Sequence, residues 1–177
     1  MKKIIAFAGS SSRTSMNKQL AAYAGGLLEH HQLEVLDLND YELPMYSIDL
    51  ENEKGIPKNA QLFLDKLHGA DGIILSLAEH NGAYAAVFKN LFDWMSRING
   101  KLWNDVPMLL MAASPGGRGG ATVLEVAKGR FPYMGGNITS SFSLPNFYDN
   151  FKDGVLVNET LFSDLKEALA KFEQKIA

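Results

Sequence analysis

A chain of 177 residues, 46% of them hydrophobic, is long enough to bury a substantial core as one domain spanning residues 1–177 and does not require a second. A formal charge of −3 with no block of Lys or Arg argues against binding a nucleic-acid backbone. The absence of cysteine excludes disulfides, thiolate metal sites and thiol catalysis.

The N-terminus, Met1-Lys2-Lys3 followed by Ile4 to Ala8, has the opening of a secretory signal, but Ser10 to Asn17 break the apolar run too early. No run approaches the ~20 apolar residues of a membrane span. The expectation is a soluble, cytoplasmic protein with no membrane partner. Lys3 to Ala8, ending in Gly9, suits a strand buried on both faces. Met16 to Glu29 reads as a helix, with Leu20, Tyr23, Ala24, Leu27 and Leu28 at helical spacing. His30 and His31 fall at the predicted end of that helix, where they read as solvated or dipole-complementing groups and not as a metal site. Glu34 to Leu38 is a second strand, and Asn39 to Lys54, with Pro44 and several acids, an irregular surface connection. Pro57 opens a helix to about His68, and Gly72 to Leu77 is a third strand. Tyr84 to Asn99 is helical, Val106 to Ala113 a strand, Gly120 to Arg130 a helix, Asn137 to Phe142 the fifth strand and Glu159 to Ile176 a closing helix. Strands and helices alternate five times, which predicts an α/β three-layer fold with a doubly wound, five-stranded parallel sheet.

In such sheets ligands bind at the carboxyl ends of the strands, where strand order reverses. The loops after the first, third and fourth strands all have unusual composition. The first, Gly9 to Asn17, offers hydroxyls, an amide, the Arg13 guanidinium and the free N–H groups of a helix start, the donors that hold a phosphate dianion. It contains neither Gly-x-Gly-x-x-Gly nor Gly-Lys-Ser/Thr. The second, Leu77 to Tyr84, combines Glu79, His80 and a flexible Asn81-Gly82. The third, Ser114 to Gly120, has four glycines within five residues, which lets backbone approach a flat ligand closely. Each loop taken singly also reads as an ordinary turn; together they describe a phosphate seat beside two stretches of backbone open to something flat.

These three motifs, in this order, resemble the NADPH-dependent FMN reductase family, and the likeness runs through nearly the whole chain. The family's phosphate loop is similar to Gly9-Ser10-x-x-x-x-Ser15-x-Asn17, and its Ser/Gly-rich loop to Ser114 to Gly120. Its Pro-Glu-Tyr-Asn-Gly motif, followed by Leu-Lys-Asn and Asp-Trp, is similar to Glu79-His80-Asn81-Gly82 with Phe88-Lys89-Asn90 and Asp93-Trp94, at unbroken spacing. The resemblance implies a flavodoxin-like fold of strand order 2-1-3-4-5 that binds flavin mononucleotide (FMN). Ser10, Ser15, Asn17 and the backbone of Met16 would hold the phosphate, with Ser12 and Arg13 on the same loop. Ala78, Glu79, His80, Asn81 and Gly82 would line the isoalloxazine ring, and Ser114, Pro115, Gly116 and Gly117 would approach its other edge. The sequence departs from the family at Ser12, where many members have arginine, at Ala78 and Ala85, usually proline, and at His80, usually tyrosine.

The implied activity is hydride transfer from NADPH or NADH to bound FMN, then reduction of a small-molecule acceptor such as a quinone, azo compound, metal ion or flavin. That cycle needs no protein nucleophile, and the chain has no Gly-x-Ser-x-Gly elbow to suggest one. His80 is the candidate for an acid/base role, and Arg118 for the extra phosphate of NADPH. The Asn39 to Lys54 connection and Tyr148 to Gly154 are expected to shape the space above the flavin. Two readings compete: a flavodoxin-type electron carrier, and a flavin- or phosphate-binding module without turnover. In the helix from Tyr84, Val87, Phe88, Leu91, Phe92, Trp94, Met95 and Ile98 cover an arc of roughly 160°, wider than one sheet face needs. That excess reads either as an interface, in line with the dimers or tetramers the resemblance implies, or as a deeply packed helix with neighbours on two sides.

Overall fold

The computed structural model describes residues 1–176. The chain runs β1 (Lys3–Gly9), α1 (Met16–Gly26), β2 (Gln32–Leu36), α2 (Ile48–Lys54), α3 (Lys58–His68) and β3 (Gly72–Leu77). A small hairpin follows, β4 (Glu79–His80) with β5 (Ala83–Tyr84), then α4 (Ala86–Ile98), β6 (Pro107–Ala113), α5 (Ala121–Arg130) and β7 (Asn137–Leu144). The chain closes with α6 (Phe147–Asn150), the hairpin β8 (Phe151–Lys152) and β9 (Val155–Leu156), and α7 (Glu159–Ile176). The central sheet has the order β2-β1-β3-β6-β7, and every pairing in it is parallel. Counting only these five strands, this is the predicted order 2-1-3-4-5.

The apolar runs sit where both faces are covered. All six residues of β3 are buried, whereas the edge strand β2 leaves Val35 exposed. Period-2 alternation divides β1 between two cores. Ile5 and Phe7 pack with Phe63, Phe88, Trp103 and Phe131 under α3, α4 and α5. Ile4 and Ala6 pack with Leu20, Phe142, Leu169 and Phe172 under α1 and α7. The order reverses between β1 and β3, so the crevice at their carboxyl ends lies between the loops after those two strands.

Several boundaries differ from the sequence expectation. β2 begins at Gln32 because pairing to β1 starts at Lys3, and it stops at Leu36 because Asp37 turns to bind other groups. α1 ends at Gly26, so His30 and His31 follow the helix and do not complement its dipole; His31 Nε2 instead faces Glu173 of α7 at 3.4 Å. The Asn39 to Lys54 connection is only partly irregular, since Ser47 caps α2 by accepting from Leu50 N. The helix expected from Tyr84 begins at Ala86 because Asn81-Gly82, with φ of 53° and 74°, closes the hairpin just before it. β7 extends to Leu144.

The wide apolar arc of α4 finds its second neighbour in its own chain. Trp94 is fully buried, its indole N–H donates to Pro44 O at 2.8 Å, and the Tyr46 ring meets it edge-on at 5.0 Å. Asn90 grips the same segment, accepting from Tyr46 N at 2.8 Å and donating to Pro44 O at 3.0 Å. The arc therefore carries no argument for an interface between subunits, because residues 43–46 already cover its extra flank.

Candidate functional site

All three singled-out loops lie at the carboxyl edge of the sheet. The first is folded by its own hydroxyls. Ser10 Oγ accepts from Ser12 N at 3.2 Å, and Ser15 Oγ caps α1 by accepting from Lys18 N at 3.2 Å. That cap satisfies the third amide of the helix, while the first two, of Met16 and Asn17, have no intrahelical acceptor. Ser15 also keeps a hydroxyl proton to donate.

Asn17 is only 3% exposed, and its carboxamide stitches the loop to two strands. Oδ1 accepts from Ser76 Oγ at 2.7 Å and from Ala113 N at 2.8 Å, while Nδ2 donates to Ala113 O at 3.2 Å. Both lone pairs of Oδ1 are then used, and one N–H of Nδ2 remains. A side chain expected to bind ligand thus first fixes the loop. Ser76 completes this junction and was not singled out from the sequence. The available signal was a hydroxyl in the middle of an otherwise apolar, doubly buried strand.

The loop is braced on its other side by the end of β2. Lys18 pairs with Asp37, which also accepts from Asn39 N at 2.9 Å and Asn39 Nδ2 at 2.7 Å. Burial raises the Asp37 carboxyl, but the Lys18 ammonium and the Asn39 donors outweigh it and hold the group below its ordinary range. Asn39 Nδ2 also reaches Ser11 O at 3.2 Å.

A cavity of about 310 Å³ opens between Ser10, Ser11 and Ser12 with His80 on one side and Ala85, Ala86 and Val87 on the other. The second wall is the start of α4, which has no capping side chain and no acid in its first turn. A larger cavity of about 540 Å³ shares Ser11 and Val87 and runs beneath Leu38 to Pro44 toward Asn90 and Leu91. No carboxylate lines the smaller cavity, and the serines that lead toward α1 face the start of α4 across it; that is the electrostatic setting for an anion. Arg13 is exposed beside it.

In the second loop Ala78 is buried, His80 is exposed, and Glu79 pairs with Tyr84 across the hairpin. The Glu79 carboxylate leaves the hairpin altogether and accepts from Val123 N of α5 at 2.9 Å. Tyr84 lies among Phe88, Phe92 and Phe131, and its hydroxyl is buried without a hydrogen-bond partner. Burial pushes its phenol up to about 12, against a smaller opposing effect of Arg130.

The third loop is anchored at both ends. Ser114 Oγ donates to Gly116 O at 3.1 Å, and Gly116 O also accepts from Asn146 N at 3.1 Å. Gly119, at φ 57°, has no room for a side chain, since a Cβ would lie 2.2 Å from Ser143 Oγ. Gly116 differs: nothing of the protein lies within 4 Å of the Cβ position, and at Gly117 only Asn146 Oδ1 does, at 3.9 Å. Packing therefore explains Gly119 but not the exposed Gly116-Gly117 pair, whose bare backbone suits a flat ring. Pro115 shares that exposed edge while Ser114 is half-buried, and Arg118 donates to Thr122 Oγ1 at 3.0 Å. The structure thus brings Ser10, Ser12 and His80 into one cavity, turns Ser15, Asn17 and Glu79 toward the protein, and sets Ser114 to Gly117 beyond the Asn17–Ala113 junction. Among the described residues no group of His, Asp and Glu is placed to hold a metal ion.

Comparison with known proteins agrees with this geometry. The model of the NADPH-dependent FMN reductase family matches residues 2–149. A 2-hydroxy-1,4-benzoquinone reductase of Burkholderia sp is 32% identical over 134 residues, covering 75% of this chain and 71% of its own. An NAD(P)H-dependent FMN reductase of Schizosaccharomyces pombe is 26% identical, covering 97% of this chain and 89% of its own. The solved structure of FerB, a flavoenzyme NAD(P)H:(acceptor) oxidoreductase from Paracoccus denitrificans, shares the fold with a TM-score of 0.77 at 24% identity, over 99% of this chain and 97% of that one. The family match over residues 2–149, on this strand order, places the chain in the NADPH-dependent FMN reductase family, flavin oxidoreductases of flavodoxin-like fold.

Proposed function

We propose that the protein, as a single FMN-binding domain over residues 1–177, oxidises NADPH or NADH and reduces a small-molecule acceptor, a quinone, azo compound, metal ion or flavin. FMN, when bound, would supply the hydride-accepting and hydride-donating chemistry. The observation that carries the reading is the cavity between Ser10 to Ser12 and the α4 start, rich in donors and free of carboxylates.

Ser10, Ser12 and Ser15 would donate hydroxyls to the phosphate, with the amides of Met16 and Asn17, the remaining Asn17 Nδ2–H and the Arg13 guanidinium. Ala78, Glu79, His80, Asn81 and Gly82 would form one wall for the ring and Ser114, Pro115, Gly116 and Gly117 the other, excluding water from it. His80, exposed and bordering the phosphate cavity, is the proton donor to the acceptor in this reading. Arg118, in the loop just before α5, would meet the extra phosphate of NADPH. We place the protein in the cytoplasm as a homodimer or homotetramer; Met45 and Ile48, 71% and 51% exposed, supply apolar surface for that assembly.

The test is anaerobic mixing of the FMN-reconstituted protein with each nicotinamide, followed by an acceptor screen. Bleaching of the flavin band and its return on adding a quinone are expected. Failure to retain FMN, or a band that neither nicotinamide bleaches, rejects the proposal.

A further inference from the structure

Glu79 does two jobs with separate parts. Its backbone pairs with Tyr84 in the hairpin, and its carboxylate crosses to another element, accepting from Val123 N at 2.9 Å. The N-cap position of α5 is Gly120, which lies at φ 75° and has no side chain to cap with, and the first turn of the helix contains no acid. Val123 is the third helical residue, whose amide a capping side chain ordinarily satisfies. Glu79 therefore acts as the missing cap, supplied from 44 residues away, and places negative charge at the positive end of the helix.

The contact joins the two walls described above. The hairpin turn rests against the first turn of α5, where a Cβ on Gly82 would lie 3.7 Å from Thr122 Cγ2. The Gly116-Gly117 stretch hangs between that helix start and its anchor at Asn146 N. The cap ties the hairpin to the start of α5, the element that the Gly116-Gly117 stretch leads into.

We propose that Glu79 is a positioning residue whose carboxylate, through Val123 N, sets the spacing of the two loops between which the flavin ring lies. This rests on the flavin reading of the site and adds to it a side chain that acts without touching the ligand. Riboflavin separates ring binding from phosphate binding, since it has the ring and no phosphate.

The experiment titrates the apoprotein with riboflavin and with FMN, and follows amide exchange of Val123 before any flavin is added. Glu79→Ala is expected to weaken both flavins by the same factor, about fivefold, which corresponds to about 1 kcal/mol, one capping interaction. Val123 exchange should rise by at least that factor. Glu79→Gln keeps an acceptor oxygen and should bind both flavins within about twofold of the parent. Weakening of FMN alone, a Gln variant as weak as Ala, or unchanged Val123 exchange in the Ala variant overturns the proposal. A parent protein that binds neither flavin overturns the functional reading instead, while the exchange data still report on the cap.

Discussion

The Ser76–Asn17–Ala113 junction makes a quantitative prediction. Ser76→Ala removes one buried hydroxyl but leaves Asn17 Oδ1 its bond from Ala113 N at 2.8 Å, so the loss is one net hydrogen bond, about 1 kcal/mol. Asn17→Ala is different in kind. It strands the Ser76 hydroxyl and both the N–H and C=O of Ala113, three groups left without partners, at roughly 1 kcal/mol or more each. Its total is therefore about 3 kcal/mol or more, and a thermal midpoint lower by roughly 2–4 °C for each kcal/mol. In the double variant the hydroxyl is no longer stranded, so Ser76→Ala should regain about 1 kcal/mol once Asn17 is gone. Urea unfolding of the four apoproteins, with the slope checked for constancy, measures the coupling. If the two losses add within about 0.3 kcal/mol, the junction is not the energetic unit described here.

The two kinds of glycine in the third loop should separate cleanly. Gly119→Ala forces a Cβ to within 2.2 Å of Ser143 Oγ at φ 57° and should cost about 2 kcal/mol or more in urea unfolding, while Gly116→Ala, with nothing within 4 Å, should leave stability unchanged and weaken FMN binding. Trp94→Phe loses the bond to Pro44 O and part of a buried ring, so stability should fall by about 1–3 kcal/mol and the 43–46 segment should become the first site of limited proteolysis; a variant cut elsewhere first would contradict the clamp. Acid should destabilise the fold through Glu34, held low by Lys66 and Lys3, and through Asp37, where Lys18 and Asn39 overcome the effect of burial. Since their folded values are depressed, the stability they contribute is present above the ordinary carboxylate value of about 4 and is lost as pH falls below it. Urea midpoints across pH 7 to 3 should show that loss, and Lys18→Met should reduce it; an identical profile would remove Asp37 from the account.

Local signals carried the architecture. Short apolar runs alternating with helical periodicity specified five parallel strands and their covering helices, because burial on both faces leaves its mark within a few consecutive residues. The three loops at the sheet's carboxyl edge were legible for the same reason: serines before a helix, Asn81-Gly82, and the glycines from Gly116 to Gly120 stand out within a few residues. Which way their side chains face was not legible. Asn17 finds Ala113 across 96 positions, Trp94 finds Pro44 across 50, and Glu79 finds Val123 across 44. A hydrogen bond to a partner that distant leaves no periodic trace in the sequence around either group. Tertiary structure alone therefore decided that Asn17 braces the loop, that Glu79 caps a helix, and that α4's extra apolar flank is covered by its own chain. The sequence chose the groups at the sheet's edge; the fold, by satisfying some of them internally, chose which remain free for a ligand.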